Sequence, residues 1–571
     1  MANATPPETL RSHLTYKPEP LKFGTSGRRG EVIHLTQLEI YTNVLSEIHY
    51  LQSIPRAEGG IEIGDDFYYA HDLRPSSTAY VENNRGGLSQ AVEKAVKDGG
   101  MRPINLGAIP TPALTFFALQ KGKGSIMVTG SHIPFDRNGY KLNTSKGELM
   151  KTAENPINEA VAITREKLLS EPFAKSIFDD QGMLRSGQSA LLPAQPEGRA
   201  TYLQRYIDFF KGETLQGMKV LAYQHSAVGR DLLVEILERL GAAVTPAGRS
   251  DTFVPIDTEA IDQAQLDTIQ KLCDATGERF DAIVSTDGDS DRPLLLAPEG
   301  DKLRFFGGDI LGMIVADFLK ADSVIVPIST NDAIDRGPLA SVTEPKTKIG
   351  SPYVIAGMQN VLSKGRQRVC GWEANGGFLT GSDITRHGNT LIALPTRDAI
   401  LPLLAALFAA RSHQITLPEL FSSLPARSSR AGLIRKFPRS TSLKIIEKFS
   451  PTGSNIQEIS YHANEVTCHG SDHALLDVDK VQIEKLGQIR QGLQTVFSHE
   501  AGFTPIARIN YTDGVRIIFS NGDVAHFRPS GNADELRIYS VADTPERADA
   551  IVIEGVRDPN GLLRRLEGLV R

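Results

Sequence analysis

The stretch Met218–Val244, MKVLAYQHSAVGRDLLVEILERLGAAV, decides the fold class. It opens with MKVLAY, an apolar run of strand length, and continues into DLLVEILERL, where apolar residues recur at helical spacing until Gly241. A short strand that leads into an amphipathic helix is typical of α/β folds with parallel sheets. Similar apolar runs occur at Phe67–His71, Phe280–Ser285 and Ser323–Ile328. The sequence therefore predicts several related α/β units.

The pattern changes in the last quarter of the chain. Gly514–Phe519 (GVRIIF) is strand-like, Asn521 and Gly522 match a hairpin turn, and VAHF and LRIY follow as further short strands. This favours an α+β domain after the linker-like segment Ser422–Arg430. The sequence predicts four domains, namely α/β domains over residues 1–195, 196–300 and 301–425 and an α+β domain over residues 426–571.

The composition excludes several classes of protein. The 571 residues carry 62 Lys and Arg against 68 Asp and Glu, a net charge of −6, and the hydrophobic share of 40% is that of a globular chain. Three cysteines without CxxC spacing exclude a disulfide scaffold. A pI of about 6.2 gives no bulk attraction to nucleic acid or to an anionic membrane. The polar N-terminal segment and the shortness of the apolar run Leu401–Ala410 favour a cytoplasmic protein without a membrane span.

The segment Val128–Lys141, VTGSHIPFDRNGYK, is the first candidate for chemistry. The apolar run SIMV leads into it, which places Ser131 in a loop at the carboxyl end of a strand, where α/β sheets build their sites. Ser131 could act as a nucleophile, with His132 and Lys141 as nearby acid/base groups. An ordinary surface turn, in which the serine only caps a neighbouring group, explains the same residues equally well.

The segment Ser285–Pro293, STDGDSDRP, is the second candidate. Asp287, Asp289 and Asp291 alternate with small residues directly after a strand-like run. Carboxylate oxygens are the ligands that Mg²⁺ prefers, and three carboxylates so close together repel one another without a cation. We therefore favour a metal site over a solvated acidic turn. The loop lacks the glycine and the closing glutamate of an EF-hand.

Two glycine-containing segments complete the set. Cys370–Leu379 (CGWEANGGFL) offers Glu373 and Asn375 as partners for sugar hydroxyls, while Trp372, the single tryptophan, is more often a packing residue. Phe527–Tyr539 (FRPSGNADELRIY) combines guanidinium, hydroxyl, amide and backbone N–H donors. That inventory favours a phosphate pocket over an ordinary charged turn. Its candidate residues are Arg528, Ser530, Gly531, Asn532 and Arg537.

Together with Phe23–Gly30 (FGTSGRRG), these four segments resemble the active-site loops of the α-D-phosphohexomutase family, the phosphoglucomutases and phosphomannomutases. All five occur in the family order and extend from about residue 21 to about residue 540. Further stretches such as Leu394–Pro402 (LPTRDAILP) look most like bacterial phosphomannomutase-like members. The resemblance implies three related α/β domains and a C-terminal α+β domain, each contributing one loop to a central cleft.

The resemblance also implies residue roles. Ser131 would carry a phosphoryl group, and its oxygen would join the three aspartates in holding Mg²⁺. Arg29, Lys141 and Arg292 would support phosphoryl transfer, with Lys141 as the general acid/base. Sugar contacts would come from Gly350, Ser351, Glu373 and Asn375, and the second phosphate would bind at Arg528, Ser530, Gly531, Asn532 and Arg537. Small sugar phosphates would be the partners, and a hexose 1,6-bisphosphate would be the intermediate and activator.

The sequence departs from the family pattern at two loops. Where the sugar loop usually reads Gly-Glu-x-Ser-Gly-His, Asn375 and Gly377 replace the serine and the histidine. The phosphate loop has Asn532-Ala533-Asp534 in place of Thr-Glu-Pro. Because the serine, aspartate and arginine groups are intact, these changes concern the identity of the sugar more than the chemistry. We expect Gly377 to leave room near the sugar ring and to weaken discrimination between mannose and glucose.

The leading hypothesis is a mutase that interconverts hexose 1-phosphate and hexose 6-phosphate. A synthase of the same superfamily that releases the bisphosphate, a mutase for a hexosamine phosphate, and a non-catalytic sugar-phosphate-binding paralogue remain alternatives. A metal-dependent phosphatase would leave the second phosphate loop without a purpose.

Overall fold

A computed structural model describes residues 8–259, 261–451, 455–462, 465–471, 474–530 and 534–571. Four sheets follow one another along the chain, and helices pack against them. The first sheet has the strand order Arg28–Glu31, Arg137–Thr144, Ser125–Val128, Asp66–His71 and Arg102–Ala108, with Gly147–Glu148 paired to Arg137–Thr144. Its accompanying α-helices are Leu10–His13, Gln37–Ser53, Pro75–Thr78, Leu88–Asp98, Thr111–Lys121 and Glu154–Leu169.

The second sheet contains the stretch that decides the fold class. Its strand order is Lys302–Phe306, Pro293–Glu299, Ala282–Thr286, Lys219–His225 and Ala243–Arg249, and the α-helices in this part of the chain are Glu197–Phe209, Arg230–Arg239 and Gln263–Thr276. The strand Lys219–His225, next to the edge strand Ala243–Arg249, pairs in parallel with both of its neighbours. The strand–helix unit predicted from the sequence is therefore confirmed.

The third sheet is the smallest of the four. Its strand order is Ser323–Ile325, Val369–Trp372, Phe378–Thr380 and Leu394–Asp398, and a separate ribbon pairs Ile384–Arg386 with Asn389–Leu391. The α-helices here are Gly308–Phe318, Ser351–Ser363, Ile400–His413 and Leu417–Ser422. The most apolar stretch of the sequence lies in the buried helix Ile400–His413. Among the described helices, none combines the length and the apolar character that crossing a membrane requires.

The fourth sheet is antiparallel throughout its described strands, as predicted. Its strand order is Ser428–Arg435, Glu535–Ala542, Val524–Pro529, Val515–Phe519, Ile506–Asn510, Glu458–His462, Glu465–His469 and Leu475–Leu476, and its α-helices are Arg439–Lys448, Lys480–Val496, Pro545–Val556 and Leu562–Gly568. Asn521 and Gly522 do lie in a hairpin turn, where Gly522 has a φ of +85°. A cluster of buried apolar residues of its own, from Ile434 to Leu566, forms the core of this part.

Two of the boundaries predicted from the sequence do not coincide with the ends of the sheets. Lys302–Phe306 forms a hairpin with Pro293–Glu299 and so belongs to the second sheet, although the prediction began the third domain at residue 301. The predicted linker Ser422–Arg430 includes the start of a strand, because Ser428 pairs with Ala542. Lys302–Phe306 pairs with a strand across a turn, and Ser428 pairs with a strand that is distant in the sequence. Local composition reveals neither pairing.

Candidate active site

Ser131 lies in a tight loop after the strand Ser125–Val128. Its φ of +56° is in the left-handed region, which is uncommon for a residue other than glycine and is sustained only where surrounding contacts hold the backbone. The buried Oγ donates a hydrogen bond of 2.7 Å to Oδ2 of Asp287, and the backbone N–H donates to Oγ1 of Thr129 at 2.7 Å. The predicted nucleophile and the predicted metal loop are therefore in direct contact.

Arg74, which the sequence did not single out, holds this loop. Its guanidinium donates to the carbonyl oxygens of Ser131 at 2.7 Å and Arg137 at 3.0 Å, and its Nε lies 3.2 Å from Oδ2 of Asp72. The guanidinium also stacks 3.9 Å above the ring of Phe253, which precedes the metal loop in the chain. Because Arg74 and Ser131 are 57 residues apart, no local pattern could reveal this contact.

The three aspartates follow the strand Ala282–Thr286 and gather at its end. One carboxylate oxygen of each lies within 4.8 Å of the others. Lys141 Nζ is 2.5 Å from Oδ2 of both Asp289 and Asp291, while Oδ1 of each is buried and has no hydrogen-bond partner among the described residues. Burial and the two neighbouring carboxylates raise the pKa of Asp287 well above its usual range. Buried carboxylate oxygens without donors are costly, so this donor set suits a hard divalent cation.

Three cationic or potentially cationic side chains surround the aspartates. Arg292 Nε lies 3.7 Å from Oδ1 of Asp291. Burial lowers the pKa of Arg29 to about 10, and the nearby arginines add to this effect. Burial, together with Arg292 and Arg29, holds the pKa of His132 well below its usual range. Burial and the two neighbouring guanidiniums thus disfavour the protonated form of this imidazole.

Glu373 and Asn375 occupy the predicted sugar loop in different ways. Glu373 Oε2 accepts a 2.8 Å hydrogen bond from Arg397 Nη1, and Asn375 Oδ1 accepts from the backbone N–H of Gly377 at 3.0 Å. Trp372 is fully buried and donates from Nε1 to the carbonyl of Asp309 at 3.0 Å, so it is a packing residue. Asn375 shapes the loop through its side chain, whereas the buried carboxylate of Glu373 is paired with Arg397.

Arg397 is the second functional residue that the sequence analysis missed. It lies in the strand Leu394–Asp398, within the stretch quoted only for its family likeness. Its Nε and Nη2 donate to Oδ2 of Asp291 at 3.0 and 2.9 Å, which joins the aspartate loop to Glu373. Despite burial, Arg397 and Lys141 lower the pKa of Asp291.

The expectation that Gly377 leaves open space is wrong. A Cβ atom built on Gly377 would lie 2.5 Å from Cδ and 2.7 Å from Cγ of Arg397. The aliphatic part of Arg397 therefore fills the volume that a side chain at position 377 would need. The sequence around Gly377 does not reveal this contact, because Arg397 lies in a strand 20 positions further along the chain.

Gly350 and Ser351 lie at the start of the helix Ser351–Ser363. Gly350 has a φ of +132°, and Ser351 Oγ donates to Oε2 of Glu148 at 2.6 Å. The other oxygen of Glu148 accepts from Oγ1 of Thr396 at 2.6 Å. Glu148 thus joins the first sheet to the helix start at Ser351 and to the strand Leu394–Asp398.

The predicted phosphate loop lies in the fourth sheet. Arg528 and Arg537 are direct partners on neighbouring strands, where like charges destabilise each other unless an anion compensates them. Arg528 Nε lies 3.3 Å from Oδ1 of Asp513, and Arg537 Nη2 donates to Glu535 at 3.1 Å. Ser530 is buried beside them. Gly531 and Asn532 lie outside the described residues.

Glu259 adds a carboxylate that the sequence analysis did not consider. Burial and Asp257 raise its pKa to about 7, while Arg292 and Arg537 oppose that rise. The Arg537 charge also contributes, after burial, Arg292 and Arg29, to lowering the pKa of His132. The charge of Arg537, in the fourth sheet, thus acts both on Glu259 and on the residue next to Ser131.

Comparison with known proteins found family models and curated relatives that cover most of the chain. Family models described as phosphoglucomutase/phosphomannomutase, alpha/beta/alpha domains I, II and III, match residues 20–167, 201–300 and 307–428. A phosphomannomutase of Sinorhizobium fredii (strain NBRC 101917 / NGR234) is 34% identical over 538 residues, covering 94% of this chain and 98% of its own length. A phosphomannomutase of Salmonella muenchen is 35% identical over 534 residues, covering 93% of this chain and 94% of its own length.

Two crystal structures share the fold. A phosphoglucomutase/phosphomannomutase family protein of Burkholderia thailandensis superposes with a TM-score of 0.58 at 15% identity, covering 92% of this chain and 94% of its own. An N-acetylphosphoglucosamine mutase variant of Aspergillus fumigatus, in complex with glucose 1,6-bisphosphate, gives a TM-score of 0.52 at 14% identity, covering 100% and 99% of the two chains.

Proposed function

The chain belongs to the phosphoglucomutase/phosphomannomutase family of phosphohexose mutases, and from this premise we propose that it interconverts the 1- and 6-phosphates of mannose and glucose. The reaction would proceed through a phosphorylated Ser131 and a hexose 1,6-bisphosphate. The observation that carries the proposal is the 2.7 Å contact between Ser131 Oγ and Asp287 Oδ2, which puts a nucleophile beside a set of hard oxygen donors.

In the first step, Ser131 Oγ gives its phosphoryl group to the free hydroxyl of the hexose phosphate. We propose Lys141, whose Nζ lies against the aspartate loop, as the general acid/base of this step, which requires its amine form when the hydroxyl gives up its proton. Mg²⁺ would be held by the Ser131 oxygen and by Asp287, Asp289 and Asp291. When bound, it would neutralise charge on the transferred phosphoryl group. Arg29 and Arg292 add positive charge at the same place. The chain's own contribution is thus mainly orientation and electrostatic stabilisation.

Arg528 and Arg537 would bind the phosphate that is not being transferred. Two guanidiniums on adjacent strands match two faces of one phosphate group. After the first transfer, the bisphosphate would turn end for end, so that the same two arginines receive the other phosphate. Ser131 then regains a phosphoryl group. The bisphosphate complex of the fold neighbour from Aspergillus fumigatus supports a ligand of this length in such a cleft.

Phosphorus NMR of the purified protein with Mg²⁺, a trace of hexose bisphosphate and mannose 1-phosphate tests the proposal directly. A mutase yields the 6-phosphate resonance while the bisphosphate stays at its catalytic level. Net accumulation of bisphosphate from a phosphoryl donor identifies a synthase, and growth of inorganic phosphate identifies a phosphatase. An unchanged substrate spectrum rejects an enzymatic role for this sugar phosphate, and glucose 1-phosphate and glucosamine 1-phosphate provide the parallel samples.

We further propose that one site serves both mannose and glucose phosphates. These sugars differ only at the 2-hydroxyl, so a carboxylate such as that of Glu373, which would contact the 3- and 4-hydroxyls, is common to both. Catalytic efficiencies for the two should lie within about two decades, or ~3 kcal/mol in the transition state. The variant Glu373→Gln should impair both sugars together. A defect confined to one sugar would reject the shared contact.

A further inference from the structure

Arg397 is a buried cation that joins two carboxylates of separate sheets. Three of its nitrogens act as donors, two to Asp291 Oδ2 at 3.0 and 2.9 Å and one to Glu373 Oε2 at 2.8 Å. Only 3% of its surface is exposed. A planar guanidinium fixes the distance and the angle between two carboxylates, which a lysine ammonium cannot do. The orientation of Glu373 therefore depends on this side chain.

Gly377 is what allows Arg397 to reach that position. The φ of Gly377 is not in the left-handed region, so its backbone would accept other residues. The obstacle is space, because an added Cβ would meet Cδ, Cγ and Cβ of Arg397 at 2.5, 2.7 and 2.8 Å. These contacts are with the stem of a side chain whose far end is already held by two carboxylates. Gly377 and Arg397 consequently form a matched pair.

The backbone on both sides of Arg397 is also fixed. Thr396 Oγ1 donates to Oε1 of Glu148 in the first sheet at 2.6 Å. Asp398 accepts a 2.5 Å hydrogen bond from the Tyr202 hydroxyl and one of 2.9 Å from the backbone N–H of Ile400. A side chain whose two neighbours are anchored to other elements is held in one orientation before any ligand arrives.

We propose that Arg397, admitted by Gly377, is a positioning residue for sugar recognition. It binds one oxygen of Glu373 and so directs the other oxygen toward the sugar hydroxyls. Because it also binds Asp291, it fixes the position of Glu373 relative to the aspartate loop. The identity of the ligand in this inference rests on the proposed function, whereas the Gly377–Arg397 pairing rests on the contacts above. Arg397 itself acts through Glu373.

The test measures sugar-phosphate affinity separately from turnover. Calorimetric titration with mannose 1-phosphate in the presence of Mg²⁺ would use proteins that all carry Ser131→Ala, so that no phosphoryl transfer accompanies binding. Adding Arg397→Lys or Arg397→Ala should raise the dissociation constant about ten-fold or more, because Glu373 loses its orienting donor. Gly377→Ala should act similarly by displacing the arginine stem.

A control and a rescue distinguish positioning from general damage. Arg427 is a matched control, since it is buried and its side-chain bonds within the described part of the chain go to Asp332, Asp543 and the Gly522 carbonyl, none of which is a predicted site residue. Arg427→Ala should lower the melting temperature and leave the dissociation constant within about two-fold. Guanidinium ion at low millimolar concentration should restore affinity to Arg397→Ala and not to Gly377→Ala, where the arginine is still present.

Unchanged affinity in both Arg397→Lys and Gly377→Ala would overturn the inference, as would an equal loss in the Arg427 control. Turnover of the unaltered protein, followed separately, tests the proposed function. A protein that binds mannose 1-phosphate and loses affinity in the variants, yet does not interconvert it, would reject the mutase while retaining the role of Arg397. Absence of any binding in the parent protein would reject both.

Discussion

At Ser131 a strained backbone and a buried hydroxyl coincide. The φ of +56° presents Oγ to Asp287, and Arg74 holds the loop from behind. We expect intact-mass spectrometry after treatment with a hexose bisphosphate to show one phosphate adduct that maps to Ser131. Ser131→Ala should bind sugar phosphate but lose most turnover, because no other group receives the phosphoryl. An adduct on another residue, or an alanine variant with full activity, would contradict the assignment.

Asp289 and Asp291 each have a buried Oδ1 atom without a hydrogen-bond partner in the described part of the chain, and we expect both atoms to bind a metal ion. Replacing Asp287, Asp289 or Asp291 by Asn keeps an oxygen donor but removes a charge that a divalent cation requires. Each variant should lose Mg²⁺ binding in equilibrium dialysis and lose turnover with it. Asp274→Asn, an exposed position near the end of the helix Gln263–Thr276, is the control. Full activity of the parent protein with chelator present throughout would reject the metal site.

At the scale of elements, the strand Lys219–His225 ends in a buried histidine that supports the aspartate loop. His225 Nε2 lies 2.8 Å from the carbonyl of Thr286, the residue before Asp287. Burial lowers the pKa of His225 to about 4, against about 6.5 in an unfolded chain. The unfolded chain therefore takes up the proton first, so stability is complete above pH 6.5 and is lost as the pH falls toward 4.

The expected loss from this one histidine is about 2 kcal/mol between pH 7 and pH 5. His225→Gln keeps a donor for the Thr286 carbonyl but cannot titrate, so its free energy of unfolding should depend less on pH over that interval. Urea unfolding of both proteins at the two pH values measures the difference. His526, also buried with a lowered pKa, is present in both proteins and cancels in the comparison. Equal pH dependence would show that His225 does not contribute.

Elements also explain what the sequence could reveal. The strand before Ser131, the strand before the aspartates and the helix Arg230–Arg239 follow from apolar runs and their spacing, which are local signals. The roles of Arg74 and Arg397 depend on partners 57 and 106 residues away, and a single arginine in a loop or strand carries no mark of such contacts. The space beside Gly377 was misjudged for the same reason, because its occupant comes from another strand.

At the scale of the whole molecule, one cluster of buried apolar residues, from Tyr68 to Phe421, joins the first three sheets, whereas the fourth sheet has a cluster of its own. The serine loop and the aspartate loop are in direct contact, and Arg528 and Arg537 are paired in the fourth sheet. A ligand with phosphate at both ends would contact both parts at once. Hexose 1,6-bisphosphate should therefore raise the melting temperature more than inorganic phosphate does, since tighter binding to the folded state stabilises it more.

Thermal scans with increasing phosphate, hexose monophosphate and hexose bisphosphate provide the measurement. At a concentration of about 100 times the dissociation constant, the bisphosphate should add about 2.7 kcal/mol to the stability of the folded state. Arg537→Gln should remove most of the difference between bisphosphate and monophosphate, because the second phosphate then loses one guanidinium. Identical shifts for all three ligands would contradict a cleft that spans both parts.

The pairing of Gly377 with Arg397 also has a consequence for ancestry. A side chain at position 377 would strike the arginine stem, and loss of the arginine alone would leave Asp291 and Glu373 without the cation between them. Either substitution on its own should therefore impair the protein. We expect related sequences to keep both residues or to replace both. A relative with glycine at the position of Gly377 should then also have arginine at the position of Arg397. The two residues together would mark one lineage within the family.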